Sequence, residues 1–210
     1  MDNAGPEKVA LAELRYGPPR VVSMAQEILP WEFDLIERIC GDVRYHDVVI
    51  FAFSGTVAAT AWADASMALI HKPSDPPGAL WVATGGVEPG ESLEGAVARE
   101  AYEELGIKVR PVRYALRADA LFQCEGRTRP WSSHVFVAVP SRNGRYPEDD
   151  GGAPPLAPVD RHEVEYAQWV GVAEFRREVV PVLLESGWGR FRYRLAVTEH
   201  LFAELGLSGV

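Results

Sequence analysis

From Gly85 to Ile107 the chain reads GGVEPGESLEGAVAREAYEELGI, with six glutamates, three of them within five residues. Ser92 is a good helix N-cap, Glu94 falls in the first turn where the helix dipole favours negative charge, and Gly106 suits the position after the last turn. The spacing therefore predicts a helix over 93–105. At roughly 100° per residue, Leu93, Ala96, Val97, Glu100 and Glu104 share one face. The apolar members say that this face is buried, yet it carries two carboxylates one turn apart, with Glu103 beside them. Like charges at this spacing cost a few tenths of a kcal/mol, roughly, even in water, and burial raises that cost. Something positive must sit there. Carboxylate oxygens select hard ions such as Mg²⁺ or Mn²⁺, which also bridge phosphate oxygens. Arg99, the only basic residue between Gly85 and Ile107, can pair with Glu103 at i+4 or with Glu91 as the chain enters the helix. Gly85 and Gly86 let backbone approach an ion or substrate closely. The plainer reading is a solvated acidic helix, since charge runs usually mark solvated faces.

The full spacing separates these readings. Gly, five residues, Glu, seven residues, then Arg-Glu-Ala-Tyr-Glu-Glu-Leu-Gly-Ile recurs by chance in on the order of one chain in a million at average residue usage. Gly85, Glu91, Arg99, Glu100, Glu103, Glu104, Gly106 and Ile107 resemble the Nudix box, the signature of the Nudix hydrolase family, and the box covers 23 of the 210 residues. Ala101 stands where that family prefers a larger aliphatic. Many members carry Trp-x-x-Pro-Gly-Gly just upstream; here Trp81-Val82-Ala83-Thr84-Gly85-Gly86 has Thr84 in place of the proline.

The resemblance implies hydrolysis of a nucleoside diphosphate linked to another group, with Mg²⁺ or Mn²⁺ as cofactor. By position, it assigns the metal to the Gly85 carbonyl, Glu100, Glu103 and Glu104. Glu100 and Glu103 are the implied catalytic carboxylates, with Glu91 and Arg99 as the supporting pair. A general base is expected in the helix or in a later loop, where Glu163 and Glu165 are candidates, as are Glu148, Asp149 and Asp150. The implied fold is α/β: a Nudix-type α/β/α sandwich with a mixed β-sheet, an N-terminal helical extension and a C-terminal helix.

The elements around the box fit that architecture. Residues 1–45 read as a helical N-terminal extension, with one or two helices between Val21 and Cys40, Pro30 opening the second. Residues 46–210 read as the hydrolase domain with C-terminal helices. Val48–Phe53 is a β-prone run, and Thr56–Trp62 with Ser66–His71 suits a hairpin. Past the box, strands are expected at Val109–Phe122 and Val135–Val139 around a loop containing CEGRTRPWSS. Another strand is expected at Glu163–Val170, one or two short helices at Val172–Ser186, and a helix over Phe191–Leu205 ended by Gly206. The loops 73–84, 124–133 and 140–162 are left to choose the substrate. Within them, Trp81 and Trp131 can stack on a base, and Arg127, like Arg129, can meet phosphate or ribose. Core packing for the tryptophans and ordinary exposure for the arginines are the plainer alternatives.

A net charge of −9 with a pI near 5.1 excludes broad binding to nucleic-acid backbone or anionic membrane. The expected partner is a small nucleotide-diphosphate substrate. Cys40 and Cys124 have no metal-ligand spacing and read as buried thiols in a reducing cytoplasm. The first residues lack the basic-then-apolar pattern of a secretory signal, and no apolar stretch is long enough to span a bilayer. A homodimer using residues 1–45 as an arm is one arrangement that the sequence allows. Two other readings compete: a non-hydrolytic Nudix domain that senses a nucleotide or binds a partner, and an isopentenyl-diphosphate isomerase. The first often loses box glutamates that are kept here; the second needs a cysteine context unlike Phe-Gln-Cys124-Glu-Gly.

Overall fold

Val48–Phe53, the unbroken β-prone run, lies at the heart of the structure. The computed structural model describes residues 5–40, 46–54, 62, 64–141 and 153–208. In chain order the elements are α1 (Pro6–Tyr16), β1 (Arg20–Glu27), α2 (Pro30–Cys40), β2 (His46–Ala52), β3 (Ser66–His71), β4 (Ala83–Gly86), α3 (Leu93–Leu105), β5 (Val109–Cys124), β6 (Arg127–Pro140), β7 (Tyr166–Gly171), α4 (Val172–Glu174), a π-helical turn (Phe175–Val179), α5 (Val180–Glu185) and α6 (Gly189–Glu204). The five-stranded sheet has the order β1-β5-β6-β2-β4, and β3 and β7 form a second, two-stranded sheet. β1 runs parallel to β5 and β2 parallel to β6, while β5–β6 and β2–β4 are antiparallel, so the main sheet is mixed.

The period-2 alternation of strand side chains sends β2 into two cores at once. Val48 and Ile50 join Leu93, Ala96, Val97 and Ala101 of α3, and α1 adds Ala12 to this side. Val49 and Phe51 join Phe33 of α2 and Phe191, Leu195 and Phe202 of α6. Helices thus cover both faces, giving the expected α/β/α sandwich with a mixed sheet and a C-terminal helix.

Two stretches differ from expectation. The start of the segment expected as helix from Val21 is instead strand, Arg20–Glu27. Its apolar residues Val22 and Met24 fit a two-residue period as well as a helical one, and pairing to β5 decides between them. The loop expected between Phe122 and Val135 is two-residue turn and strand: Glu125 and Gly126 both adopt positive φ, at 50° and 81°. Such a tight turn matches strand twist and carries the hairpin straight through residues 127–134. Elsewhere α3 has the predicted bounds, and Pro30 opens α2. The proposed strand at Thr56–Trp62, apart from Trp62, and Glu148, Asp149 and Asp150 lie outside the described residues.

Candidate active site

Helix α3 presents the glutamates as the wheel required. Ser92 caps it, its hydroxyl accepting from Gly95 N at 3.0 Å, and Gly106 closes it in the left-handed region at φ 71°. Glu100 is 6% exposed and Glu104 1%, whereas Glu103 is partly open to solvent. Opposite them, β4 brings Gly85 so close that a Cβ there would lie 1.8 Å from the Glu100 carboxylate. Only a glycine allows that seat. Glu104 accepts a hydrogen bond from Thr84 N at 2.8 Å, which ties the same helix turn to the same strand.

Arg99 organises the remaining carboxylates. Its Nε and Nη2 donate to the two Glu91 oxygens at 3.0 Å each, and Nη2 also donates to Gly86 O at 2.8 Å. Nη1 is shared between Glu100 at 2.6 Å and Glu103 at 3.1 Å. The sequence left Glu91 and Glu103 as alternative partners; Arg99 takes both and adds Glu100. Glu91 pays for some burial, yet the Arg99 hydrogen bonds and the Glu88 amide hold its carboxyl below the usual range.

Burial, followed by the charges of Glu104 and Glu103, pushes the Glu100 carboxyl up to about 7 against the pull of Arg99. Burial also raises Glu104, against the opposing pull of Lys72, whose Nζ lies 2.7 Å from Glu104 Oε1. Carboxylates held in this way stabilise positive charge, and in this structure two protein cations supply it. The donor set suits a hard divalent ion: carboxylate oxygens on a glycine backbone that approaches without a side chain. The set is divided, with Glu100 and Glu103 on Arg99 and Glu104 on Lys72. Among the described residues, no three Asp, Glu, His or Cys side chains close into a ready coordination shell.

A cleft of about 260 Å³ opens beside this wall. Thr84, Gly85, Gly86 and Glu100 line it, as do Lys72, Glu163, Asp47, Phe122 and Trp131. α6 contributes Arg190, Tyr193 and Arg194; α2 contributes Glu32, Leu35, Ile36 and Ile39. Trp131 therefore faces the cleft, its Nε1 donating to Asp47 at 3.1 Å and Ser133 at 3.2 Å. Glu163 faces it as well, 3.3 Å from Lys72 Nζ. Glu165 instead lies 3.5 Å from His71 Nε2 and is not part of the lining. Trp81 is 3% exposed and packs against Phe51 in the core. Arg127 sits at the hairpin turn, 2.8 Å from Asp34 and over the Phe33 ring, where it fastens α2 to the sheet. Lys72, Arg190, Tyr193 and Arg194 were not singled out from sequence. Each belongs to an element other than the box, so only closure of the fold brings them to the glutamates.

Parts of the chain are similar in sequence to known proteins. A stretch of 47 residues is 49% identical to the NAD-capped RNA hydrolase NudC of Chromobacterium violaceum, covering 22% of this chain and 18% of that protein. A stretch of 115 residues is 33% identical to the NAD-capped RNA hydrolase NUDT12 of Macaca fascicularis, covering 53% of this chain and 19% of that one. The chain thus spans about a fifth of the length of these relatives. Among solved structures, a NUDIX hydrolase from Nitrosomonas europaea is similar with a TM-score of 0.46 at 19% identity, over 75% of this chain and 88% of that one. The NUDIX domain family model matches residues 54–185, more than half of the chain and all of the glutamate helix, and the chain belongs to the Nudix family.

Proposed function

We propose that the protein is a divalent-cation-dependent hydrolase that cleaves the diphosphate bond of a nucleoside diphosphate linked to another group. The observation that carries this reading is the Glu100 carboxylate seated over Gly85 in the cleft wall, with Glu104 one turn away. The Gly85 carbonyl, Glu100, Glu103 and Glu104 are the proposed ligands of Mg²⁺ or Mn²⁺. When bound, such ions neutralise a diphosphate and lower the pKa of a coordinated water. Glu91 and Arg99 fix the orientation of Glu100 and Glu103 through the shared guanidinium. Glu163 is the proposed proton acceptor, because it reaches the cleft and Lys72 holds it there; a base must lie within hydrogen-bond reach of the proton it takes. Trp131 offers a ring for base stacking, fixed at its Nε1 by Asp47.

The relatives' names make NAD and NAD-capped RNA the first substrates to assay. Net charge −9 favours recognition of the dinucleotide over the RNA backbone. No described helix is long and apolar enough to cross a membrane, and a cytoplasmic location is proposed from composition. The test is phosphate-bond cleavage across NAD, NAD-capped RNA, ADP-ribose, dinucleoside polyphosphates and nucleotide sugars, with Mg²⁺ and with Mn²⁺. Turnover of at least one is expected, with loss of about 10²-fold or more in Glu103→Gln and Glu104→Gln while the fold persists. Full activity in both variants would refute the site. Tight nucleotide binding without any turnover would refute the hydrolase.

A further inference from the structure

Arg190 and Arg194 lie one helical turn apart on α6, and both line the cleft. Their surroundings are unlike. Arg190 Nη2 lies 2.6 Å from Asp75, its Nε lies 4.0 Å from Glu32, and the guanidinium stacks over Trp188. Arg194 has no carboxylate at ion-pair distance and no hydrogen-bond acceptor among the described residues; its neighbours are the faces of Trp81 at 5.4 Å and Phe191 at 5.8 Å. Protein packs around its side chain, and what remains accessible opens into the cleft.

The acidic side chains of the same lining are already engaged. Glu32 accepts from Leu29, Gly189 and Arg190 amides. Asp47 accepts from Trp131, Glu100 from Arg99, and Glu163 from Lys72. Of the three cations lining the cleft, Lys72 and Arg190 have carboxylate partners and Arg194 has none. Burial, then Arg190, draws its pKa down to about 10 against the more distant pull of Asp75, Glu104 and Asp47, so it is charged at neutral pH. An enclosed charge that no carboxylate meets at ion-pair distance is only partly compensated, and a guanidinium fork matches two phosphate oxygens better than any other side chain does.

We propose that Arg194 is an anion-binding residue of the cleft and contacts a phosphate of a nucleoside 5′-diphosphate whose base lies against Trp131. The proposal rests on the reading of this cleft as a nucleotide site and names a specificity-determining residue outside the box. Aromatic Trp131 and Phe122, with Leu35 and Ile36 of α2, suit a base rather than a second phosphate.

Isothermal titration with α,β-methylene-ADP, whose bridging carbon resists cleavage, tests this in the presence of Mg²⁺, with adenosine as the uncharged control. Arg194→Gln should weaken the analogue at least tenfold and leave adenosine unchanged, and Arg194→Lys should recover part of the loss. Because the side chain has no direct ion pair to lose and burial with Arg190 outweighs the distant carboxylates, the melting temperature of unliganded Arg194→Gln should equal or exceed that of the parent. Unchanged affinity for the analogue, equal losses for analogue and adenosine, or failure of the parent protein to bind the analogue would each overturn the proposal. Failure of the hydrolase reading is seen separately, as absence of turnover by the parent protein, and leaves the binding comparison intact.

Discussion

Glu100 concentrates the physics of the site in one carboxyl group. Burial and the two neighbouring glutamates hold its proton up to about 7 against the pull of the shared arginine. The folded chain then binds more protons than the unfolded one between the ordinary carboxylate range and pH 7. Stability is fully present below the unfolded pKa and is lost as pH rises through the folded one. Metal-free protein should therefore melt at a lower temperature at pH 8 than at pH 5, and Glu100→Gln should remove much of that slope. A shift of this size corresponds to roughly 3 kcal/mol at most, and Mg²⁺ should restore stability chiefly at the alkaline end; thermal melts across pH check both. Gly85→Ala is the complementary test. Its Cβ would coincide with the flexible end of Glu100, so the carboxylate must move while the backbone can stay. We expect a melting temperature close to the parent's and activity down about 10²-fold, as for a misplacement of roughly an ångström.

At the scale of elements, the end of α3 fixes a later loop. Glu103 O accepts from Val159 N at 2.9 Å and Asp160 N at 3.0 Å, and Leu105 O accepts from Ala157 N at 3.0 Å. Asp160 then caps the turn, accepting from His162 and Glu163 amides. The helix that carries the box thus also sets where Glu163 begins. Gly106→Ala would drive a Cβ to 1.9 Å from Ala157 O at a φ of 71°, which costs about 1–3 kcal/mol in backbone strain alone. Denaturant unfolding should show at least that loss, with a lowered turnover in the surviving fold. The helix itself was legible because its signals are local: a serine cap, a closing glycine and apolar residues at 3.6 spacing. The Glu100–Gly85 approach and the Lys72–Glu104 pair were not, because each joins separate elements. Strand β1 was misread for the same reason. Its partner strand lies far along the chain, and no residue near Val22 announces it.

For the whole molecule, Glu32 is the staple between the N-terminal segment and the last helix. Its carboxylate, 1% exposed, accepts from Leu29 N and Gly189 N at 2.9 Å and Arg190 N at 3.0 Å. Glu32→Ala would strand three amides and leave Arg190 with Asp75 alone, so a loss of about 3 kcal/mol or more is expected, read as a lower midpoint in urea. The same segment was set apart in the sequence as an extension, yet β1 pairs with β5 along its full length, from Arg20 opposite Leu116 to Glu27 opposite Gln123. That register has a consequence in time. Strand β1 leaves the ribosome roughly a hundred residues before β5, its sheet partner among the described residues, an interval of about 5–20 s at ordinary synthesis rates. Parallel pairing across so long a loop pays its closure entropy before any contact rewards it, whereas β5 and β6 meet through a two-residue turn. In pulse-labelled refolding, amides of the β5–β6 hairpin should gain protection before those of β1, and the α2 wall of the cleft should close last.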